Sequence, residues 1–207
     1  MPRRPPINPE GYYHVGTRGT YGMPIFRDDR DRELFLALYR RISTKYEWIT
    51  LTWALKRNHH HFAVKLTDGG LSEGMRELHG QYSRRLHAEL GLTNLGHLVR
   101  HGFFAREAKT TDDVIDMCRY VDLNGYRGVR AAAKWEWCGY LGTMGGEPPR
   151  PFHTPSALLE LLDPNRLSAR TKYAEHVANE IAERARRPAK PPLPTLLSSL
   201  VPSPNQG

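Results

Sequence analysis

The chain has 207 residues, with 30 Lys and Arg against 22 Asp and Glu, a formal charge of +8 and a pI near 9.7. Apolar residues are 39% of the chain and aromatic residues 10%, enough for a buried core and too many for a disordered protein. Apolar runs such as Leu34–Tyr39 fall far short of the roughly twenty residues a membrane-spanning helix needs, and Cys118 and Cys138 lie in no Cys-x-x-Cys array, which excludes a disulfide framework and a zinc ribbon.

In chain order, Tyr13–Gly19 reads as a short strand, with Gly16, Gly19, Gly22 and Pro24 marking turns around it. Asp29 to Tyr46 is predicted helical, because Leu34, Phe35, Leu38, Tyr39 and Ile42 recur at three- and four-residue spacing opposite Arg32, Arg40 and Arg41. Trp48 to Leu55 alternates as a strand, placing Ile49, Leu51, Trp53 and Leu55 on one side and Trp48, Thr50 and Thr52 on the other. Lys56-Arg57-Asn58 turns the chain into a second, hairpin-paired strand, His59 to Leu66. Its period of two places His59, His61, Ala63 and Lys65 on one face and His60, Phe62, Val64 and Leu66 on the other. Leu71 to Leu90 is an amphipathic helix closed by Gly91. Phe103–Ala108 is a further strand. Thr110-Thr-Asp-Asp then opens a helix with a buried stripe of Val114, Met117, Cys118 and Val121, stopped by Gly125. The order predicts an α+β fold, a ferredoxin-like antiparallel sheet with helices on one face, plus a C-terminal helical extension. The expected organisation is a catalytic domain over 1–145, ending at the linker Gly145-Gly-Glu-Pro-Pro, then the extension over 146–187 with helices at Pro155–Leu162 and Asn165–Arg187. A Pro/Ser-rich tail, expected to be disordered, fills 188–207.

The positive charge points to a polyanionic partner, with nucleic acid the first candidate. Between Lys56 and Lys109 there are nine Lys and Arg against five Asp and Glu, together with seven of the ten histidines and the aromatic residues Tyr82, Phe103 and Phe104. Basic groups interleaved with aromatic ones suit a backbone groove with stacking platforms for unpaired bases. Arg84, Arg85, Arg100 and Arg106 are candidate backbone contacts, and Arg184 to Lys190 forms a further basic run. No apolar run follows the basic N-terminus, so no secretory signal is read there; the expected location is cytoplasmic, associated with the nucleoid.

The sharpest chemical signal is His59-x-His61, two imidazoles on one face of one strand about 6.5–7 Å apart along the chain, near enough to share a metal ion. On the helix after Asp112, Tyr120 and Asn124 lie one turn apart on one face, with about 6 Å of rise between them. Two imidazoles and an amide oxygen can hold a divalent cation, Mg²⁺ or Mn²⁺, beside a phenol. A phosphodiester whose charge is neutralised by a metal is open to attack by that phenol. Each feature also has a structural reading: paired histidines are commonly surface residues, and a tyrosine at a helix edge is commonly packing. The Ser/Thr, Cys/His and phosphate-loop alternatives lack their motifs.

Over roughly Tyr13 to Tyr140 the sequence resembles the REP-associated and insertion-sequence transposases that combine one catalytic tyrosine with a His-hydrophobe-His metal site, the HUH endonuclease class. The resemblance is carried in order by Arg18-Gly19 with Ile25-Phe26 to Phe35, Asn58-His59-His60-His61-Phe62, Gly96-His97-Leu98 with Gly102-Phe103-Phe104, Arg119-Tyr120-Val121-Asp122-Leu123-Asn124, and Trp137-Cys-Gly-Tyr140. It implies His59, His61 and Asn124 as metal ligands, Tyr120 as nucleophile and Arg18 among the DNA contacts. It further implies action on single-stranded DNA next to a hairpin through a 5′-phosphotyrosine intermediate, with a homodimer possible and no obligatory protein partner. The sequence departs from the family in having His60 between the ligand histidines, Gly125 in place of Pro after the Asn, and Thr20 after Arg-Gly. The alternative expectation is a domesticated protein that binds single-stranded DNA or hairpin RNA without cutting it.

Overall fold

The computed structural model describes residues 7–91, 98–99, 102–124 and 135–186. The expectations for Gly96-His97, Arg100, the helix stop at Gly125 and the tail over 188–207 lie outside the described residues. Strands β1 (Tyr12–Arg18), β2 (Ile49–Lys56), β3 (His59–Lys65) and β4 (Phe104–Ala108) form one sheet in the order β2-β3-β1-β4, antiparallel throughout. Helix α1 (Asp29–Lys45) connects β1 to β2, and α2 (Leu71–Glu89) connects β3 to β4. Each crossover spans one intervening strand, the split β-α-β arrangement of the expected ferredoxin-like sheet.

The helix ends follow local chemistry. Asp28 caps α1 by accepting from the Asp31 backbone N–H at 3.1 Å. Helix α3 (Thr111–Asn124) begins with a reciprocal box in which Thr110 Oγ1 accepts from the Asp113 N–H and Asp113 Oδ2 accepts from the Thr110 N–H, both at 3.1 Å. Gly91, at φ +61°, closes α2.

Helices α1 and α2 cover one face of the sheet. There Phe35, Leu38, Tyr39, Leu78 and Tyr82 pack on Val15, Phe62, Val64 and Leu66. The opposite face, expected to lack a helix layer, carries α3. Its Val114, Met117, Cys118 and Val121 join Leu51, Ala54 and Ala63 in a second apolar cluster. The two-faced burial has a visible cause, since apart from His60 and His61 the inner positions of β2 and β3 are apolar or small on both sides. The C-terminal segment completes that second layer with α4 (Tyr140–Met144), α5 (Pro155–Leu159) and α6 (Arg166–Arg186), and Leu158, Tyr173 and Val177 are fully buried in it.

Two strand details differ from simple alternation. In β2, Leu51 is an extra residue between Thr50, opposite Val64, and Thr52, opposite Ala63. This bulge turns Leu51 into the α3 cluster, away from Trp53 and Leu55 in the α1/α2 cluster. Gly16 lies inside β1 rather than at a turn. A Cβ there would meet the Phe104 ring at 2.8 Å and the His60 carbonyl oxygen, so glycine lets Phe104 lie across the strand. The outer edge of β2 is covered by chain from the C-terminal half, through Leu55 N–H to Trp137 O, Gly139 N–H to Trp53 O and Thr154 N–H to Thr50 O, each 2.8 Å.

Candidate metal and DNA site

The α3 face of β3 places His59 and His61 together with their ring centroids 5.0 Å apart, as strand parity requires. His60 points the other way, fully buried, with Nε2 3.0 Å from His79 Nε2 and its ring against Phe35. Antiparallel pairing sets Arg18 opposite His59 and Gly16 opposite His61. Helix α3 crosses so that Asn124 Nδ2 is 2.8 Å from His61 Nε2, and the same side chain hydrogen-bonds His59. One turn earlier the Tyr120 ring stands edge-on to His14 at 5.2 Å and to His61 at 6.1 Å, and Tyr120 is 47% exposed. His59, His61, Asn124 and Tyr120, expected from sequence, therefore meet within one chain.

Burial is the main cause of low histidine basicity here. It holds His59 down at about 4, assisted by the positive Lys56 and Arg18, and holds His61 at about 2, assisted by the neighbouring histidines. Both rings are neutral at pH 7, the state in which imidazole binds a metal. His59 Nδ1–H donates to Asn58 Oδ1 at 2.6 Å, which leaves Nε2 as the nitrogen able to bind a metal. Because Asn124 Nδ2 donates to His61 Nε2, the single proton of His61 sits on Nδ1 and is donated to His14 Nε2 at 2.8 Å. His61 Nε2 is thereby left with its lone pair toward Asn124. Among the described residues no group of three or more His, Cys, Asp or Glu side chains is placed to hold an ion. The donor set at this point is thus two imidazole nitrogens and one amide, which fits a divalent cation that keeps other positions for water or substrate oxygen.

A cleft of about 780 Å³ opens beside Tyr120, where Arg106, Lys109 and Arg119 on its wall are balanced by Glu107, Asp113 and Asp116. Arg106 pairs across the sheet with His14 and helps to depress that histidine to about 4, behind the larger effect of burial. Phe104 is 43% exposed and edge-on to His14 at 4.8 Å, so it is available as a platform. The other two aromatic candidates belong to the core: Phe103 is buried, and Tyr82 is buried with its hydroxyl donating to Ile25 O at 2.6 Å. Arg84 and Arg85 are exposed on α2, in the layer on the far side of the sheet, so the structure does not bring them to the histidines. Arg100 lies outside the described residues.

Sequence reasoning missed His14, Lys56 and Asn58 as members of this site. His14 carried a usable signal, because it stands at period two from Arg18 on β1. What was missing was the pairing of β1 with β3, which no local pattern encodes.

A family model described as "Transposase IS200 like" matches residues 9–124, more than half of the chain. The chain belongs to the IS200-like transposases. Membership makes it a transposase, a DNA-binding enzyme of DNA transposition. Its fold is that of a REP-associated tyrosine transposase solved bound to a REP hairpin, with a TM-score of 0.55 at 14% identity over 74% of this chain and 90% of that one. A Deinococcus radiodurans R1 protein described as a transposase superposes with a TM-score of 0.41 at 14% identity, over 61% of this chain and 98% of that one. The tRNA(His) guanylyltransferase of Saccharomyces cerevisiae gives a TM-score of 0.44 at 14% identity, over 89% and 80%. No curated protein sequence matches the chain. Among the described residues, no helix of this transposase is long and apolar enough to cross a membrane.

Proposed function

We propose that this transposase is a metal-dependent single-stranded DNA endonuclease and strand transferase that acts next to DNA hairpins through a 5′-phosphotyrosine intermediate. The observation that carries the reading is the position of Tyr120 and Asn124, one turn apart on α3 and both against His61 of the same chain. His59, His61 and Asn124 would hold Mg²⁺ or Mn²⁺. When bound, such an ion supplies charge neutralisation and orientation of the scissile phosphate.

In the proposed reaction the Tyr120 oxygen attacks phosphorus as its proton passes to water at the open cleft. The phosphorus–O3′ bond breaks, the O3′ takes a proton, and a 5′-phosphotyrosine diester remains. A free 3′-hydroxyl then attacks the same phosphorus, and the phenol leaves with a proton. One P–O bond replaces another at each step, so cutting and rejoining need no nucleotide cofactor. Arg18 and Lys56 beside His59, and Arg106 beside His14, give the positive field that gathers a polyanion at this face. One chain contributes the whole proposed set, so cutting in this reading does not require a homodimer. The REP hairpin bound by the structural relative makes a DNA hairpin the first substrate to try.

The test is incubation of the full chain with labelled single-stranded hairpin oligonucleotides and Mn²⁺, followed by denaturing electrophoresis. A covalent protein–DNA adduct is expected, lost in Tyr120→Phe, in His61→Ala and with EDTA. Binding without any adduct in the wild type would replace this reading with that of a non-cleaving DNA- or RNA-binding protein.

A further inference from the structure

At the end of β1 the chain turns through a single 3-10 turn at Thr20–Gly22, and Tyr21 is its middle residue. Tyr21 has φ 53° and ψ 21°, a left-handed backbone that bulky side chains rarely adopt, and it is 97% exposed. Met23, two residues on, is 61% exposed. Burial of the side chain does not account for this strain. The turn is nevertheless pinned in place: Gly22 N–H donates to Gly19 O at 2.9 Å, Met23 N–H to Thr20 O at 3.0 Å, and Thr20 N–H to Leu98 O at 3.2 Å.

Asn58 ties this turn to the candidate metal site. Its carbonyl accepts from the Gly19 N–H at 2.8 Å, its Nδ2 donates to Gly22 O at 3.0 Å, and its Oδ1 accepts from His59 Nδ1–H at 2.6 Å. The same rim carries exposed Arg18 and Arg57, with Lys56 beside them, and neither 11–27 nor 48–67 contains an Asp or Glu. A rigidly presented aromatic face on an acid-free, basic rim complements an unpaired base and its phosphates.

We infer that Tyr21 is a stacking platform for an unpaired base of the single strand entering the His59–His61–Asn124 site, with Arg18 and Arg57 on the adjoining phosphates. The assignment of the strand's destination rests on the proposed function; the stacking site itself stands on the turn. Strain of this kind, held by backbone hydrogen bonds at a functional rim, is what pre-organisation of a contact residue looks like.

The test is fluorescence anisotropy of the full chain with a labelled single-stranded twenty-nucleotide DNA of mixed sequence, in EDTA so that nothing is cut. Tyr21→Ala is expected to weaken binding about tenfold, and Tyr21→Trp to stay within about twofold of wild type, the response of a lost and a retained base stack. Tyr21→Gly should weaken binding like Tyr21→Ala while its thermal midpoint stays at or above that of wild type, because glycine relieves the left-handed backbone. Arg18→Ala should lower the slope of log affinity against log salt by about 0.7. Unchanged affinity in Tyr21→Ala, or no single-strand binding by the wild type, would overturn the inference. The adduct assay separates the two readings: an adduct formed with Tyr21→Ala binding at wild-type affinity removes the stacking site alone. Loss of binding in Tyr21→Ala with no adduct from the wild type removes the cutting reaction alone.

Discussion

At the scale of single residues, the site depends on where protons sit. His61 can present Nε2 to a cation only if its proton stays on Nδ1, and His14 is the group that accepts it, at 2.8 Å. His14 itself is kept neutral by burial and by Arg106, so it remains an acceptor at neutral pH. Outer partners of this kind fix ring orientation and tautomer, and their loss costs metal affinity about 10- to 100-fold. His14→Phe should therefore weaken Mn²⁺ binding by about that factor, measured by electron paramagnetic resonance titration of the protein without DNA. His14→Gln, whose amide oxygen can still accept from Nδ1–H, should recover part of the loss. Equal affinity in His14→Phe and wild type would show that His61 needs no orienting partner. A gain by His14→Gln over His14→Phe is what a purely packing role would not produce.

At the scale of elements, α3 carries both Tyr120 and Asn124, and its placement rests on polar anchors as well as on its apolar stripe. Asp122 is fully buried, accepting from Thr52 Oγ1 on β2 at 2.5 Å and paired with the Tyr173 hydroxyl on α6 at 2.6 Å. On the outer side, Asp116 reaches His176 at 2.9 Å in a pair exposed enough to contribute little, and Arg119 reaches the buried Glu180 at a longer 3.4 Å. The weight falls on Asp122. Tyr173→Phe leaves a buried carboxyl group short of one partner and should destabilise the chain by about 1–3 kcal/mol, read as the shift in a urea unfolding curve. A change below about 0.5 kcal/mol would remove Tyr173 from the anchors of α3. This layer also marks where local pattern stops being informative. The alternation of His59 to Leu66 and the Tyr120–Asn124 spacing are local properties, and both were legible in the sequence. The stripe Val114, Met117, Cys118 and Val121 showed that α3 is buried, but not against which face, because either side of an antiparallel sheet can accept it. The bulge at Leu51 was hidden for a similar reason: an extra residue breaks period two without any change in residue type. Gly16 read as a turn because its steric reason, the Phe104 ring, comes from a strand far along the chain.

At the scale of the whole molecule, the two layers bury an unusual number of imidazoles, and their sum sets how the fold responds to acid. Burial holds His79 and His153 at about 4, and His14, His59 and His61 are depressed in the same direction. In the unfolded chain each would titrate near its ordinary value of 6.5. Below that pH the unfolded state binds more protons than the folded one, so the stability tied to these rings is present above 6.5 and is lost as pH falls toward 4. Asp122 acts in the opposite sense. Burial raises its carboxyl to about 7, so its contribution is present below the ordinary 3.8 and is lost as pH rises through 7. Six depressed histidines, the fully buried His60 among them, outweigh one raised carboxyl between pH 6.5 and 4, so the urea midpoint of the metal-free chain, measured in EDTA, should fall steadily over that interval. His153 gives the cleanest single test, since its Nε2 faces the Leu51 carbonyl at 3.0 Å and Thr143 Oγ1 at 3.4 Å, away from the candidate metal site. His153→Gln keeps a donor for Leu51 but cannot titrate. Its midpoint should vary less steeply with pH than that of the wild type, and parallel pH curves for the two proteins would show that acid acts on the fold through other groups.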